Sequence, residues 1–270
     1  MIFTTAIFIV VYFTAARDKS TNLALFKETL PLRELKVECS GRSFSSEELE
    51  KYPQCIPAFC GRFVTDSIVT ESEQNHLLNL AKTVIDKYSD ERSAAIFDLT
   101  SGALSKGENF INIYKVKEAQ HIQKLEGFTA YKLVKAKILQ AISQQFRIDP
   151  QTLYLTQPTF FSKMTNITAK SVHDEYWHEH VDKDTYESFH YTSLVYLTNF
   201  SKDFTGGRFI FIDEDSKGNN KTVVVEPKAG RVLGFTSGYE NIHYVEKVTS
   251  GIRYALTVSF TCDRSLAIDF

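Results

Sequence analysis

Two hydrophobic periods divide the chain. Before Leu153 the ordered stretches repeat their apolar residues every three or four positions; after it, apolar and polar residues alternate. The first pattern predicts helices. Thr70 and Glu73 make a capping-box start, and Leu77, Leu80, Ala81, Val84, Ile85 and Tyr88 then share one face. A looser segment, Ser89 to Phe110, holds Gly102 and Gly107. A second helix is predicted over about Thr129 to Phe146. It buries Tyr131, Val134, Ile138, Ala141 and Ile142 and leaves Lys132, Lys135 and Lys137 in water.

The alternating part predicts strands at Leu153–Lys163, Glu179–Asp182, Thr192–Leu197, Arg208–Ile212, Thr222–Val225, Arg231–Phe235 and Arg253–Phe260. Turn residues separate them: Gly206-Gly207, Ser216 to Asn220, Pro227 to Gly230, and Ser237-Gly238. Helices followed by many short strands imply helices packed on one face of a small antiparallel β-barrel or sandwich.

Composition narrows the class only slightly. A chain of 270 residues, 43% hydrophobic and 24% charged, is an ordinary globular one. Its net charge of −2 supplies no basic field for nucleic acid, so no nucleic-acid partner is expected.

The first residues stand apart. Ile2 to Ala16 is apolar except for three Thr, and Arg17-Asp18-Lys19 ends the run. Fifteen helical residues would reach roughly 22 Å against a hydrocarbon core of roughly 30 Å. Residues 1–16 are therefore expected to be a signal-anchor or transmembrane segment whose upstream flank is missing, or a cleaved signal ending at Thr14-Ala15-Ala16. Asn166-Ile167-Thr168, Asn199-Phe200-Ser201 and Asn220-Lys221-Thr222 are glycosylation sequons, with Asn166, Asn199 and Asn220 as acceptors. Cys39, Cys55, Cys60 and Cys262 are even in number and permit two disulfides of unreadable pairing. Against these, Arg17 and Lys19 follow the apolar run, where basic residues favour the cytosol. The sequons and cysteines outweigh that flank, giving a single-pass type II membrane protein with its main domain in the ER or Golgi lumen. Residues 17–60 are expected to form a cysteine-containing stem, 61–152 a helical support region and 153–265 the β-domain.

Candidate chemistry concentrates in the β-domain. His180-Val181-Asp182 and the later His243 have the donor set of a 2-His-1-carboxylate face for non-haem Fe(II). On a strand, residues two apart point to the same side, so His180 and Asp182 would face together. His173 and His178 compete as ligands at the same spacing, but only His180/Asp182 stand at the right distance before the Gly-Gly turn and the distal His. In the last strand Arg253, Ala255, Thr257 and Ser259 share a face. A guanidinium in line with small residues implies a cavity, and a bound dicarboxylate would satisfy its charge.

With these residues in place, the region from about Leu153 to Cys262 resembles the 2-oxoglutarate- and Fe(II)-dependent dioxygenases of the prolyl 4-hydroxylase type. Their pattern is HxD, a Gly-Gly turn, P-x-x-G, a distal His and a basic residue about ten positions further. Here these are His180/Asp182, Gly206-Gly207, Pro227 with Gly230, His243, and Arg253. The resemblance implies an α+β fold, a double-stranded β-helix (jelly-roll) barrel with supporting helices on one sheet. It implies Fe(II) held by His180, Asp182 and His243, with Arg253 paired to the distal carboxylate of 2-oxoglutarate. O₂ is then the second co-substrate and ascorbate a reductant for over-oxidised iron, the reaction being hydroxylation of an unidentified acceptor, a protein side chain being favoured.

Two departures bear on the acceptor. Collagen-type enzymes carry Lys where Arg253 stands, and a Tyr on the first barrel strand where this chain has Phe160 and Phe161. Thr192 or Tyr196 are the candidates to replace that hydroxyl. The rival readings are a catalytically silent lumenal metal-binding or scaffold module on the same barrel, and a cupin-like lectin or isomerase. The Gly-Gly turn and the offset of Arg253 from His243 count against the second.

Overall fold

The computed structural model describes residues 20–214 and 218–269. The strands before the barrel are β1 (Thr21–Ala24), β2 (Arg33–Val37), β3 (Cys60–Thr65), β4 (Ala94–Asp98), β5 (Ala103–Lys106) and β6 (Asn109–Asn112). Those of the alternating region are β7 (Tyr154–Thr165), β8 (Tyr191–Tyr196), β9 (Phe204–Gly206) and β10 (Phe209–Glu214). They continue with β11 (Asn220–Val225), β12 (Val232–Thr236), β13 (His243–Val245) and β14 (Val248–Thr261). The α-helices are α1 (Ser46–Lys51), α2 (Glu71–Tyr88), α3 (Glu126–Phe146) and the single turn α4 (Asp182–Thr185).

The larger sheet runs β2-β3-β12-β8-β14-β7-β4-β5-β6, with β9 added to β14; the smaller runs β1-β11-β10-β13. The two sheets close on one another as the expected double-stranded β-helix. The period-two pattern decides which side each residue serves. Leu194, Tyr196, Phe235 and Ala255 enter the cluster between the sheets, with Phe209, Phe211 and Val225 opposite. Their neighbours Val195, Leu197, Tyr254 and Leu256 turn outward into a second cluster with the helices.

That second cluster exists because α2 and α3 are amphipathic. The Thr70 capping box forms as expected, and Leu77, Leu80, Ala81, Val84 and Ile85 are buried. α3 starts at Glu126, slightly earlier than the pattern suggests, and buries Tyr131, Val134, Ile138 and Ile142. Gly127 lets the helices touch: a Cβ there would meet the His76 carbonyl oxygen at 2.8 Å. Truncating a fully buried Leu such as Leu77 to Ala in this layer costs about 2–5 kcal/mol.

Two parts differ from the sequence reading, and the pairing of the cysteines, left open by it, is resolved. Where a stem is expected, β1 pairs in parallel with β11 and β2 pairs with β3, so residues 21–37 belong to the barrel sheets. These strands are only 4 and 5 residues long and take their register from distant partners, which leaves no periodic signal. The looser segment Ser89 to Phe110 holds β4, β5 and the start of β6, which extend the larger sheet. The four cysteines pair as Cys39–Cys60 and Cys55–Cys262.

The type II membrane arrangement is corrected here. Among the described residues no helix is long and apolar enough to cross a membrane. Residues 1–16, to which the signal-anchor is assigned, lie outside the described residues.

Candidate active site

The HxD segment is not the strand that alternation predicts. His180 makes an isolated antiparallel bridge with His243, exchanging N–H···O bonds of 2.9 and 3.0 Å. The chain then leaves the sheet. The Lys183 N–H donates to the Ser237 carbonyl, and the Tyr186 N–H to the Asp182 carbonyl, closing the single turn of α4. Asp182 thus opens a helical turn, and that turn rather than strand alternation brings its carboxylate back to the imidazoles. Oδ1 of Asp182 lies 3.5 Å from Nε2 of His180 and 3.5 Å from Nε2 of His243. One ligand atom from each of the three residues falls within 4.8 Å of the others, a spacing able to hold a metal ion.

The surroundings fix which ring nitrogen is offered. Nδ1 of His180 faces the His178 carbonyl at 2.9 Å and Nδ1 of His243 faces the Asn241 carbonyl at 2.8 Å. A carbonyl holds Nδ1 as the N–H, so Nε2 carries the free lone pair. His243 is boxed by the rings of Phe209 at 4.8 Å and Phe235 at 5.1 Å. Burial there pulls its imidazole down to about 4, against the attraction of Asp182. Burial raises Asp182, but the two imidazoles and the Thr192 hydroxyl, which donates to Oδ2 at 2.6 Å, overcome it and hold the carboxyl below its ordinary value. Burial also lowers His180, and the hydrogen bond to Asp182 more than reverses that. Near neutral pH the cluster therefore has an ionised carboxylate and a neutral His243, the states a metal needs.

The triad opens into a cavity of about 240 Å³ between the sheets. Arg253 lies in its wall, only 1% exposed. Its Nε donates to the Gly207 carbonyl at 3.0 Å and Nη1 to the sulfur of Met164 at 3.5 Å, while Nη2 has no partner among the described residues. Burial lowers the guanidinium from its ordinary value. The buried Tyr196 hydroxyl makes no well-formed hydrogen bond among the described residues and turns toward the guanidinium, whose carbon lies 5.4 Å from that ring. The rest of the wall is mostly dry, with Phe160, Met164, Leu194, Phe209 and Val245.

The four expected residues are thus brought together. His178 is not part of the cluster: it is exposed, with Nε2 2.6 Å from Glu175. The side chain of His173 lies outside the described residues. Of the two candidate hydroxyls, Thr192 is committed to Asp182 and Ser237, and Tyr196 is not. Phe160 faces the cavity and Phe161 the helices. Tyr176, which no pattern marks, lines the cavity and accepts from the Val248 N–H at 2.7 Å. Asn166 and Asn220 are exposed, whereas Asn199 is half-buried with its oxygen accepting from the Ala229 N–H at 3.0 Å.

Residues 166–261 match the model of the 2OG-Fe(II) oxygenase superfamily. The chain is 46% identical over 248 residues to "2-oxoglutarate and iron-dependent oxygenase domain-containing protein 3" of Xenopus tropicalis, covering 91% of this chain and 76% of the relative. It is 27% identical over 236 residues to "Prolyl 3-hydroxylase 2" of Homo sapiens, covering 73% of this chain and 31% of that longer protein. Among solved structures, a Trichoplax adhaerens prolyl hydroxylase in complex with a hypoxia inducible factor oxygen degradation domain peptide fragment shares the fold. The TM-score is 0.51 at 17% identity, covering 77% of this chain and 87% of that one.

The chain belongs to the 2OG-Fe(II) oxygenase superfamily. It is a 2-oxoglutarate-dependent dioxygenase using O₂, with Fe(II) and 2-oxoglutarate as its cofactors.

Proposed function

We propose that His180, Asp182 and His243 hold Fe(II), that Arg253 and Tyr196 hold the distal carboxylate of 2-oxoglutarate, and that the enzyme hydroxylates a side chain of a protein substrate. One observation carries this reading. A buried guanidinium with an unpartnered N–H lies in the wall of the cavity that the three metal-competent side chains open into, and the buried Tyr196 ring packs beside it, 5.4 Å from the guanidinium carbon. Native proteins pair such groups, and a carboxylate accepting from the guanidinium and the Tyr196 hydroxyl completes the pairing.

Bound Fe(II) and 2-oxoglutarate supply the oxidising power to insert an oxygen atom from O₂ into an unactivated C–H bond. The protein's residues do the rest. The His178 and Asn241 carbonyls set both ring tautomers, and Thr192 holds Asp182 by its outer oxygen. The apolar wall keeps water from the reacting centre. On the other side the cluster meets solvent, since the His180 side chain is 40% exposed and Tyr186 at the rim equally so. A side chain can therefore be presented from a polymer larger than the cavity. The prolyl-hydroxylase relatives support a peptide acceptor.

The test is an anaerobic titration with Fe(II) and 2-oxoglutarate. The wild type should develop the weak charge-transfer absorption of the chelated keto acid, and Asp182→Ala should lose it together with succinate formation. No absorption in the wild type rules the assignment out.

A further inference from the structure

The residues that carry the metal-competent side chains are not themselves held by long strands. Asp182 opens a single turn, and His243 follows the short Tyr239–Asn241 turn. Both are secured from outside by a stretch far away in sequence, residues 40–48. Nζ of Lys183, next to Asp182, donates to the Ser43 carbonyl at 2.9 Å and to Glu48 Oε1 at 2.7 Å. The Ser43 hydroxyl donates to the Glu240 carboxylate and accepts from the Tyr239 N–H at 3.2 Å. Ser43 is fully buried, and it packs so closely that a Cβ on Gly238 would lie 2.5 Å from its own Cβ. The two secured turns are also tied to each other, by the Tyr239 hydroxyl on Asp184.

The bracing stretch is fixed at both ends. Cys39 is bonded to Cys60 at the start of β3, and Cys55 to Cys262 just beyond β14. The capping box of α1, in which Ser45 and Glu48 hold one another, stiffens it between the disulfides. Glu48 is thereby engaged twice, as the helix cap and as the acceptor for Lys183, and Nε2 of His190 adds a third contact at 3.0 Å.

We infer that residues 40–48 form a disulfide-fixed brace that positions the metal centre, with Lys183 and Ser43 as positioning residues acting through Asp182 and His243. Outer partners of metal ligands typically change affinity by roughly 10–100-fold when removed, because the ligands then pay to become ordered. The inference rests on the metal reading above, and the experiment separates the two.

Co(II) affinity of the metal-free protein is measured by its d–d absorption, and folding by thermal unfolding, in wild type, Lys183→Met, Lys183→Arg, Ser43→Ala and the Cys39→Ala/Cys60→Ala pair. Lys163→Met serves as the control; it breaks a 2.7 Å ion pair with Asp86 on the helix side, remote from the cluster. Lys183→Met, Ser43→Ala and the cysteine pair should each weaken Co(II) binding by roughly 10-fold or more while still folded at the assay temperature, and Lys183→Arg should recover most of the loss. Lys163→Met should lower thermal stability and leave the affinity within twofold. If Lys183→Met and Ser43→Ala shift only the melting temperature, as the control does, the brace has no role in positioning and the inference falls. If the wild type itself fails to bind Co(II), the metal reading falls first.

Discussion

Two of the three arginines sealed within the described residues, Arg231 and Arg253, have opposite surroundings. Arg231 is 0% exposed and each of its donor nitrogens is engaged. Nε and Nη2 reach the two oxygens of Asp66 at 2.8 and 3.0 Å, and Nη1 and Nη2 donate to the carbonyls of Leu25, Glu226 and Glu28. Arg253 is 1% exposed and has a carbonyl, a thioether and no carboxylate. The same side chain closes a structure in one place and leaves a charge waiting in the other. On the function we propose only the second serves a site, because an uncompensated buried cation is retained when something other than folding requires it.

The comparison is broken most severely at Arg231. Arg231→Met leaves Asp66 with the Leu30 N–H and Lys228 at 3.5 Å, and takes one donor from each of the Leu25, Glu226 and Glu28 carbonyls. We expect a loss of about 3–5 kcal/mol in denaturant unfolding, with 2-oxoglutarate affinity of the remaining folded protein unchanged. A loss under about 1 kcal/mol would mean that the closed network is ornamental.

Protons sharpen the same contrast. His243 is pulled down to about 4, so between about 6.5 and 4 the unfolded chain binds a proton that the folded chain does not. Stability is fully present above that window and should fall by about 3 kcal/mol as the metal-free protein is acidified through it. His180 does not blur the window: its raised value adds stability that is complete below 6.5 and is lost only as pH rises beyond it. Burial raises Asp66, but Arg231 and the Leu30 N–H bring it below its ordinary value. Its contribution is therefore present above about 3.8 and lost only at lower pH, so the site region should weaken first. Chemical denaturation of the metal-free protein across pH checks this, and His243→Phe should flatten the upper window.

Arg253→Met should do what Arg231→Met does not. Stability of the metal-free protein should stay within about 1 kcal/mol of wild type, since no carboxylate loses its partner. The affinity for 2-oxoglutarate, measured by anaerobic titration with Fe(II), should fall roughly 100-fold.

This contrast was half visible in the chain. Arg253 could be placed because β14 alternates cleanly, and a charge in line with Ala255, Thr257 and Ser259 signals a hollow. Arg231 gave no such sign, since its partners Asp66, Leu25 and Glu28 arrive from segments without periodicity. The helices were legible through the Thr70 capping box and a wide apolar face. At the HxD segment alternation predicts a strand where the chain makes one bridge and then turns, whereas β1 and β2, of 4 and 5 residues with distant partners, leave no alternation to read. Tyr176 sits in irregular backbone before the motif, where no period marks a cavity-facing side chain.

The smallest effect tests how far the open region extends beyond Arg253. Tyr196 is buried beside the guanidinium with its hydroxyl in no well-formed hydrogen bond, and burial pushes that hydroxyl's pKa well up, so it stays an O–H donor. Tyr196→Phe deletes the donor and keeps the ring. If the hydroxyl shares the carboxylate with Arg253, 2-oxoglutarate affinity should drop about 5–10-fold, the worth of one hydrogen bond of about 1 kcal/mol. Metal affinity without the keto acid should not change. In Arg253→Met the same Tyr196→Phe change should cost less than in wild type, because two donors on one carboxylate are coupled. No loss of affinity in Tyr196→Phe would confine the site's unmet hydrogen bonding to the guanidinium alone, and equal costs in both backgrounds would mean that the two donors act independently.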